Sequence, residues 1–316
     1  MPQSPINILL IEDDEDDYVI TKDLITDAYG NRFKLDWQKN YHEGLNKIKS
    51  RGFDVCLIDY RLGAFDGLQL LAEAGCHNSE LPVPVIMLTG QDDRSLDMAA
   101  MRAGAADFLV KGKFDAQLLE RSIRYTMERA ALLQKLSELA THDELTRVYN
   151  RREIVRLLNL ECKRSDRSRD PFSIILMDID HFKQINDTHG HQSGDNALKV
   201  FAQILIDKVR GMDCIGRYGG DEFIIILPNT QAKDALIVAE RIRLSVSETP
   251  FVAETTDGYQ HEFYFTISMG IAEFPENGNT VDTLVRSADE AHYFAKHAGR
   301  NRCVLFQKSE LTEVNH

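Results

Sequence analysis

Residues 217–226 read RYGGDEFIII, two glycines and two carboxylates placed directly before a phenylalanine and three isoleucines. FIIIL at 223–227 is apolar enough for a buried strand, and CIGRY at 214–218 reads as another. Two short strands joined through Gly-Gly form a tight hairpin, because glycine takes the positive φ that such turns need. Asp221 and Glu222 then stand at the hairpin tip, one on each face of the emerging strand. An acidic pair there is either a solvated turn or a site.

A second acid cluster favours the site. The apolar strand FSIILMDID at 172–180 delivers Asp178 and Asp180 to one face, with Ile179 between them. Asp178 and Asp221 together could hold Mg²⁺ ions, as in two-metal phosphoryl and nucleotidyl transfer. Beyond that strand, Lys183 is suited to neutralise a triphosphate. Asn186 and Asp195 offer an amide and a carboxylate, which match the guanine edge that accepts at O6 and donates from N1–H and N2–H₂. Without side chains, Gly219 and Gly220 let a phosphate approach the backbone. His189 and His191 have no third soft ligand nearby and read as loop residues shaping the site. FYFTISMGIAEF (263–274) and RCVLF (302–306) are further strands, and the stretches around 150–165, 195–210, 231–247 and 281–297 are helical.

The first 115 residues follow a different plan. Apolar runs at 6–11, 33–37, 54–59, 84–89 and 107–110 alternate with helical patterns, which predicts a doubly wound parallel sheet covered on both faces. Four of these runs end in chemistry: Glu12 and Asp13 after the first, then Asp59, Thr89 and Lys111. In such a sheet all the carboxyl ends lie along one edge, where ligands bind. Three carboxylates gathered there need a divalent cation, and the hydroxyl and ammonium could stabilise a phosphoryl group on one of them. Between the two halves, residues 116–141 contain no Gly or Pro. Leu132, Leu136 and Leu139, with Tyr125 a heptad upstream, form a helical seam that can pair as a short coiled coil.

The net charge of −13 argues against a general nucleic-acid binder. The five cysteines are scattered without CxxC spacing, which excludes a zinc site or disulfide framework and suits a reducing compartment. No run is apolar and long enough to span a membrane and no signal peptide is evident, so a cytoplasmic protein is expected.

The strand-end constellation resembles the receiver domain of bacterial response regulators, over roughly residues 5–127. That resemblance implies Asp59 as the phospho-acceptor, with Glu12, Asp13, Asp59 and the Arg61 carbonyl around Mg²⁺. It also implies Thr89 and Phe108 as switch residues, Lys111 on the phosphate, and a sensor histidine kinase or phosphotransfer protein as donor. Gly112 stands where the family usually has proline.

Residues 141–308 resemble the GGDEF domain of diguanylate cyclases. HDELTRVYNRR (142–152), MDIDHFKQIND, GHQSGD, GGDEF at 219–223, TISMGIA (266–272) and ADEAHYFAKHAGRN (288–301) agree in order and spacing. Arg147 replaces the usual glycine and His292 the usual leucine. The resemblance implies an α/β fold similar to adenylyl cyclases and the polymerase palm, condensing two GTP into cyclic di-GMP with release of two pyrophosphates. Asp178, the Ile179 carbonyl, Asp221 and Glu222 would hold Mg²⁺ or Mn²⁺, with Asp221 or Glu222 helping to deprotonate the 3′-hydroxyl. Lys183, Lys296 and Arg300 would contact phosphates. One GTP per domain makes a homodimer part of the mechanism. RGMD at 210–213 stands where the family has its inhibitory site, so Arg210, Asp213 and Arg241 would bind the product. The expected organisation is a receiver at 1–127, a connecting helix at 116–141 and a cyclase domain at 142–316. Rival readings are a catalytically silent cyclic di-GMP sensor, an enzyme joining ATP with GTP, and a receiver that serves only for docking.

Overall fold

The computed structural model describes residues 5–50, 52–75, 81–90, 94–254 and 260–307. Residues 1–4 and 308–316 of the two expected domain spans lie outside it. The chain divides into two compact units, residues 1–136 and 137–316.

The first unit alternates strands and helices: β1 (Ile6–Ile11), α1 (Glu15–Tyr29), β2 (Phe33–Gln38), α2 (Tyr41–Ser50), β3 (Val55–Asp59), the short β4 (Arg61–Leu62) and β5 (Phe65–Asp66), α3 (Gly67–Gly75), β6 (Val85–Thr89), α4 (Arg94–Arg102), β7 (Asp107–Val110) and α5 (Ala116–Thr141). Five strands make one parallel sheet in the order β2-β1-β3-β6-β7. This is the doubly wound order whose crevice falls between β1 and β3. Alternate residues feed separate cores: Leu9, Ile11, Cys56, Ile58 and Met87 pack on one face, and Ile8, Leu10, Leu57, Ile86 and Leu88 on the other. Burial on both faces is why these strands read as unbroken apolar runs.

α5 changes character along its length. Leu119 and Ile123 are buried in the receiver core, whereas Leu132 and Leu136 are 64% and 63% exposed. No helix among the described residues is long and apolar enough to cross a membrane.

The second unit comprises α6 (Arg151–Ser168), β8 (Phe172–Ile179), α7 (Phe182–His189), α8 (His191–Lys208), β9 (Cys214–Gly219), β10 (Glu222–Leu227), α9 (Ala232–Glu248), β11 (Phe251–Glu254), β12 (Gln260–Phe263), β13 (Ile267–Phe274), α10 (Val281–His297) and β14 (Cys303–Leu305). Its sheet runs β14-β13-β8-β10-β9, antiparallel throughout except for β13 with β14. Ile175, Met177, Phe223 and Ile225 pack beneath α8 and α9, while Ile174, Leu176, Ile224 and Ile226 pack beneath α6 and α10. By that alternation Asp178 and Glu222, opposite each other in the ladder, fall on the α10 side.

Three expectations need correction. Residues 263–274 are not one strand: Phe263 ends β12, which pairs with β11, and Tyr264–Thr266 carry the chain into β13 of the main sheet. Phe265 is buried and Thr266 bonds Asp180, so side-chain demands there override strand continuity. His189 and His191 are not loop residues but the last of α7 and the first of α8, divided at Gly190 with φ 80°. Neither Gly219 nor Gly220 adopts positive φ. The ladder instead absorbs the turn by a register shift between Glu222 and Phe223. Gly219 matters for space, since a Cβ there would lie 3.0 Å from Glu222 Oε2.

Candidate functional site

Two acidic centres emerge, one in each unit. In the receiver, Glu12 and Asp59 are buried and Asp13 is exposed, and one ligand atom from each lies within 4.8 Å of the others. Among the described residues no other such group of three is present. Three hard oxygens in that space fit a Mg²⁺-sized dication.

The backbone shapes this pocket closely. Asp14 caps α1, accepting from the N–H groups of Asp16 and Asp17 at 2.8 and 3.2 Å, and so turns the chain sharply after Asp13. Gly63 N–H donates to Asp13 Oδ2 at 2.9 Å, and Arg61 N–H to Asp59 Oδ2 at 3.2 Å. The Trp37 indole, stacked on Tyr18 with centroids 3.7 Å apart, donates to the Glu12 carbonyl at 2.8 Å.

Lys111 holds the charge together. Its Nζ lies 2.6 Å from Glu12, 2.8 Å from Asp59 and 2.7 Å from Asp17. Burial pushes the Glu12 carboxyl up to about 7, with Lys111 opposing and Asp59 adding to the rise. Asp59 is also raised by burial, again against the pull of Lys111. The three partners hold the Lys111 ammonium well above the ordinary range despite its desolvation. Thr89 is buried at the end of β6, and its carbonyl accepts the Lys111 N–H. Phe108 is half-buried against the core beside Met87. Gly112 has φ 75°, a conformation closed to proline, which accounts for that departure while Lys111 keeps its place. Asp17, the third partner of Lys111, is legible in sequence only as a helix residue.

In the second unit, Asp178 is 5% exposed near the end of β8, one residue before Ile179. Its Oδ2 pairs with Lys296 and its Oδ1 with His292 Nε2 at 3.2 Å, both from α10. Asp221 lies in the β9–β10 connection, and Glu222 opens β10 opposite Asp178. Burial pushes the Asp221 carboxyl up; its own backbone N–H pulls it down and the charge of Asp178 adds to the rise, with Lys296 and His292 pulling down. Asp221 therefore feels the charge of Asp178, and the oxygen-only donors of Asp178, Asp221 and Glu222, spread wider than those of the receiver pocket, are of the type that suits Mg²⁺ or Mn²⁺.

Arg217 steadies the turn. Its Nε donates to the Gly220 carbonyl at 2.9 Å, and its Nη1 reaches Asp143 at 3.0 Å. Burial works upward on Asp143, but bonds from Thr146 and Arg217 outweigh it and hold the carboxyl low. Asp143 belongs to the DELT stretch, so that motif buttresses the GGDE turn.

Lys183 and Asn186 lie one turn apart on α7, with Lys183 exposed. Asn186 lies against Gly194, where any Cβ would meet Asn186 Oδ1 at 1.9 Å, next to the exposed Asp195. Asp180 turns out to be structural: it accepts from Thr266 and Ser268 at 2.7 Å and from Asn301 N–H at 3.0 Å. Those bonds fasten the loop Gly299–Asn301, all at positive φ, that carries the exposed Arg300. RGMD lies apart in the connection from α8 to β9. Asp213 accepts the Arg210 backbone N–H at 2.8 Å rather than its guanidinium, and Asp213 is raised by burial with Arg210 and Arg241 pulling it down.

A doubly wound parallel sheet with an acidic strand-end pocket, joined in one chain to a second α/β unit with its own carboxylates, is the make-up of a response regulator with an output domain. The model of the family "Diguanylate cyclase, GGDEF domain" matches residues 140–302, and that of "Response regulator receiver domain" matches residues 8–124. The chain belongs to the GGDEF family and carries a receiver domain. It is 37% identical to the response regulator PleD of Caulobacter vibrioides over 266 residues, 82% of this chain and 58% of PleD. It is 39% identical to diguanylate cyclase DosC of Escherichia coli, over 59% of this chain and 41% of DosC. The chain thus spans less than two thirds of each of these relatives. The crystal structure of the coiled coil and GGDEF domain of DgcB from Caulobacter crescentus, in complex with c-di-GMP, matches with a TM-score of 0.53 and 29% identity, covering 60% of this chain and 97% of that one.

Proposed function

We propose that this protein is a diguanylate cyclase of the response-regulator type, condensing two GTP into cyclic di-GMP under control of phosphorylation at Asp59. The observation that carries the reading is the opposition of Asp178 and Glu222 across β8 and β10, with Asp221 on the turn beside them and Lys296 above. Asp178, the Ile179 carbonyl, Asp221 and Glu222 would hold Mg²⁺ or Mn²⁺, which supplies charge neutralisation for the triphosphate and acidifies the attacking hydroxyl.

The chain's own groups do the rest. Asn186 and Asp195 read the guanine edge. Lys183, Lys296 and Arg300 bear on the phosphates, with Gly219 and Gly220 leaving room for close approach. A carboxylate of the Asp221–Glu222 pair takes the 3′-hydroxyl proton. Because one domain holds one GTP, two copies face each other, and the exposed leucine seam of α5 supports their pairing. Arg210, Asp213 and Arg241 bind the product and restrain the enzyme. In the receiver, Asp59 takes a phosphoryl group from a kinase or phosphotransfer protein, with Lys111 on its oxygens and Thr89 and Phe108 relaying the change.

Product analysis of the purified protein with GTP and Mg²⁺, with and without beryllofluoride, tests the whole reading. Cyclic di-GMP that changes with beryllofluoride in the native protein but not in Asp59→Asn supports both the enzyme and its switch. Equal turnover in all samples removes the switch. No product, with cyclic di-GMP still bound, makes the protein a sensor.

A further inference from the structure

His292 stands where the family usually has leucine, and nothing in the proposed reaction assigns it a part. Its position is set by backbone packing. Ser268, Gly270 and Ala272 line the face of β13 that meets α10, whose buried residues include Ala288, Ala291 and Ala295. A Cβ at Gly270 would lie 2.0 Å from the Ala288 carbonyl oxygen and 2.3 Å from His292 N, so helix and strand touch backbone to backbone. That close approach lowers the 3% exposed imidazole onto Asp178, with Nε2 at 3.2 Å from Oδ1. An ionised carboxylate only accepts, so Nε2 carries the proton and donates.

The two partners of Asp178 differ in kind. Lys296 is a third exposed and grips Oδ2 through a long flexible stem, so it can leave when a cation takes that oxygen. His292 is rigid, buried and committed to the other oxygen. We propose that His292 is a positioning residue for Asp178, fixing the carboxylate through Oδ1 so that Oδ2 faces the metal. Leucine at this place supplies no donor. The inference rests on the cyclase reading, in which Asp178 holds the metal.

The test is Mn²⁺ binding to the full-length protein, followed by electron paramagnetic resonance with and without a GTP analogue carrying a methylene bridge between its α and β phosphorus atoms. The increment on adding the analogue, taken beyond the Mn²⁺ that the analogue binds in a protein-free control, isolates the nucleotide site from the receiver pocket. His292→Leu, folded by its thermal midpoint, is expected to weaken that Mn²⁺ binding about tenfold, the size typical of a lost partner behind a metal ligand. His292→Gln, which restores an N–H donor, is expected to recover most of it. Unchanged binding in His292→Leu overturns the inference, as does equal loss in both variants, which would assign the effect to packing. No increment in the native protein would instead remove the cyclase reading itself.

Discussion

The two acidic centres of this chain solve the same electrostatic problem in different ways. In the receiver, Glu12, Asp13 and Asp59 come from adjacent parallel strand ends, and their oxygens already lie together. One lysine bridges two of them and Asp17, and Glu12 is still lifted to about 7. In the cyclase, Asp178 and Glu222 face each other on antiparallel strands while Asp221 sits on the turn, and α10 lends Asp178 two donors of its own. On the proposed function, the first centre serves one small ion and one covalent change. The second is looser, which the proposed function explains by a large anionic nucleotide that would arrive with its own cations. Preassembly and electrostatic tension go together in the first; openness and local compensation go together in the second.

The largest effect should separate the two centres outright. Asp178→Asn and Asp221→Asn are each expected to drop cyclic di-GMP formation to background while beryllofluoride binding at the receiver stays intact. Substantial turnover in Asp178→Asn would remove the carboxylate from the chemistry. Next, Gly270→Ala forces a methyl into the α10 backbone and should cost about 3 kcal/mol of cyclase-domain stability, read by denaturant unfolding.

Lys111→Met should cost the metal-free receiver about 3 kcal/mol, because it strands buried Glu12 and Asp59. Mg²⁺ should restore most of it. Lys296→Met, acting on a partly exposed pair, should cost under about 1 kcal/mol. Comparable losses in the two variants would erase the contrast drawn above.

A smaller effect is pH-dependent. An acid whose folded pKa is raised keeps a proton that the unfolded chain releases, so the metal-free receiver loses stability as pH rises from the ordinary 4.5 of glutamate through about 7. Mg²⁺ must displace that proton, so its binding to the receiver should weaken as pH falls below about 7, and Glu12→Gln should flatten the profile in calorimetric titrations. Another small change lies at Arg147, an exposed residue held at φ 63° where the family has glycine. Arg147→Gly should stabilise the cyclase by about 1 kcal/mol. A destabilisation would mean that the arginine makes up for its backbone strain elsewhere.

Much of this was legible in the sequence because the chemistry sits at strand ends. Apolar runs that stop at Glu12, Asp59 and Lys111 define both the sheet and its pocket, and the GGDE turn announces its own site. What stayed hidden depends on contacts between distant segments. Asp17 becomes a partner of Lys111 only when the first turn of α1 meets the residue that follows β7, and the sequence placed Asp180 in the acid cluster with nothing to show that Thr266, Ser268 and the Asn301 N–H would occupy its oxygens. His292 was visible as an odd residue, but its target was not, since that depends on how closely α10 approaches at Gly270. The glycines of the turn were read for positive φ as well as for close approach, and neither adopts positive φ, whereas a Cβ at Gly219 would crowd Glu222 Oε2 at 3.0 Å.

Trp37, stacked on Tyr18 and bonded to the backbone of Glu12, is the sole tryptophan of the chain. The molecule therefore carries one indole fluorophore, and it lies beside the Glu12–Asp13–Asp59 pocket. Excitation at the red edge of protein absorbance reports on the receiver alone, so the arrival of an ion or a phosphoryl mimic can be timed in the full-length protein without any label. Cyclase turnover recorded in the same cuvette would then show whether the two events run in step.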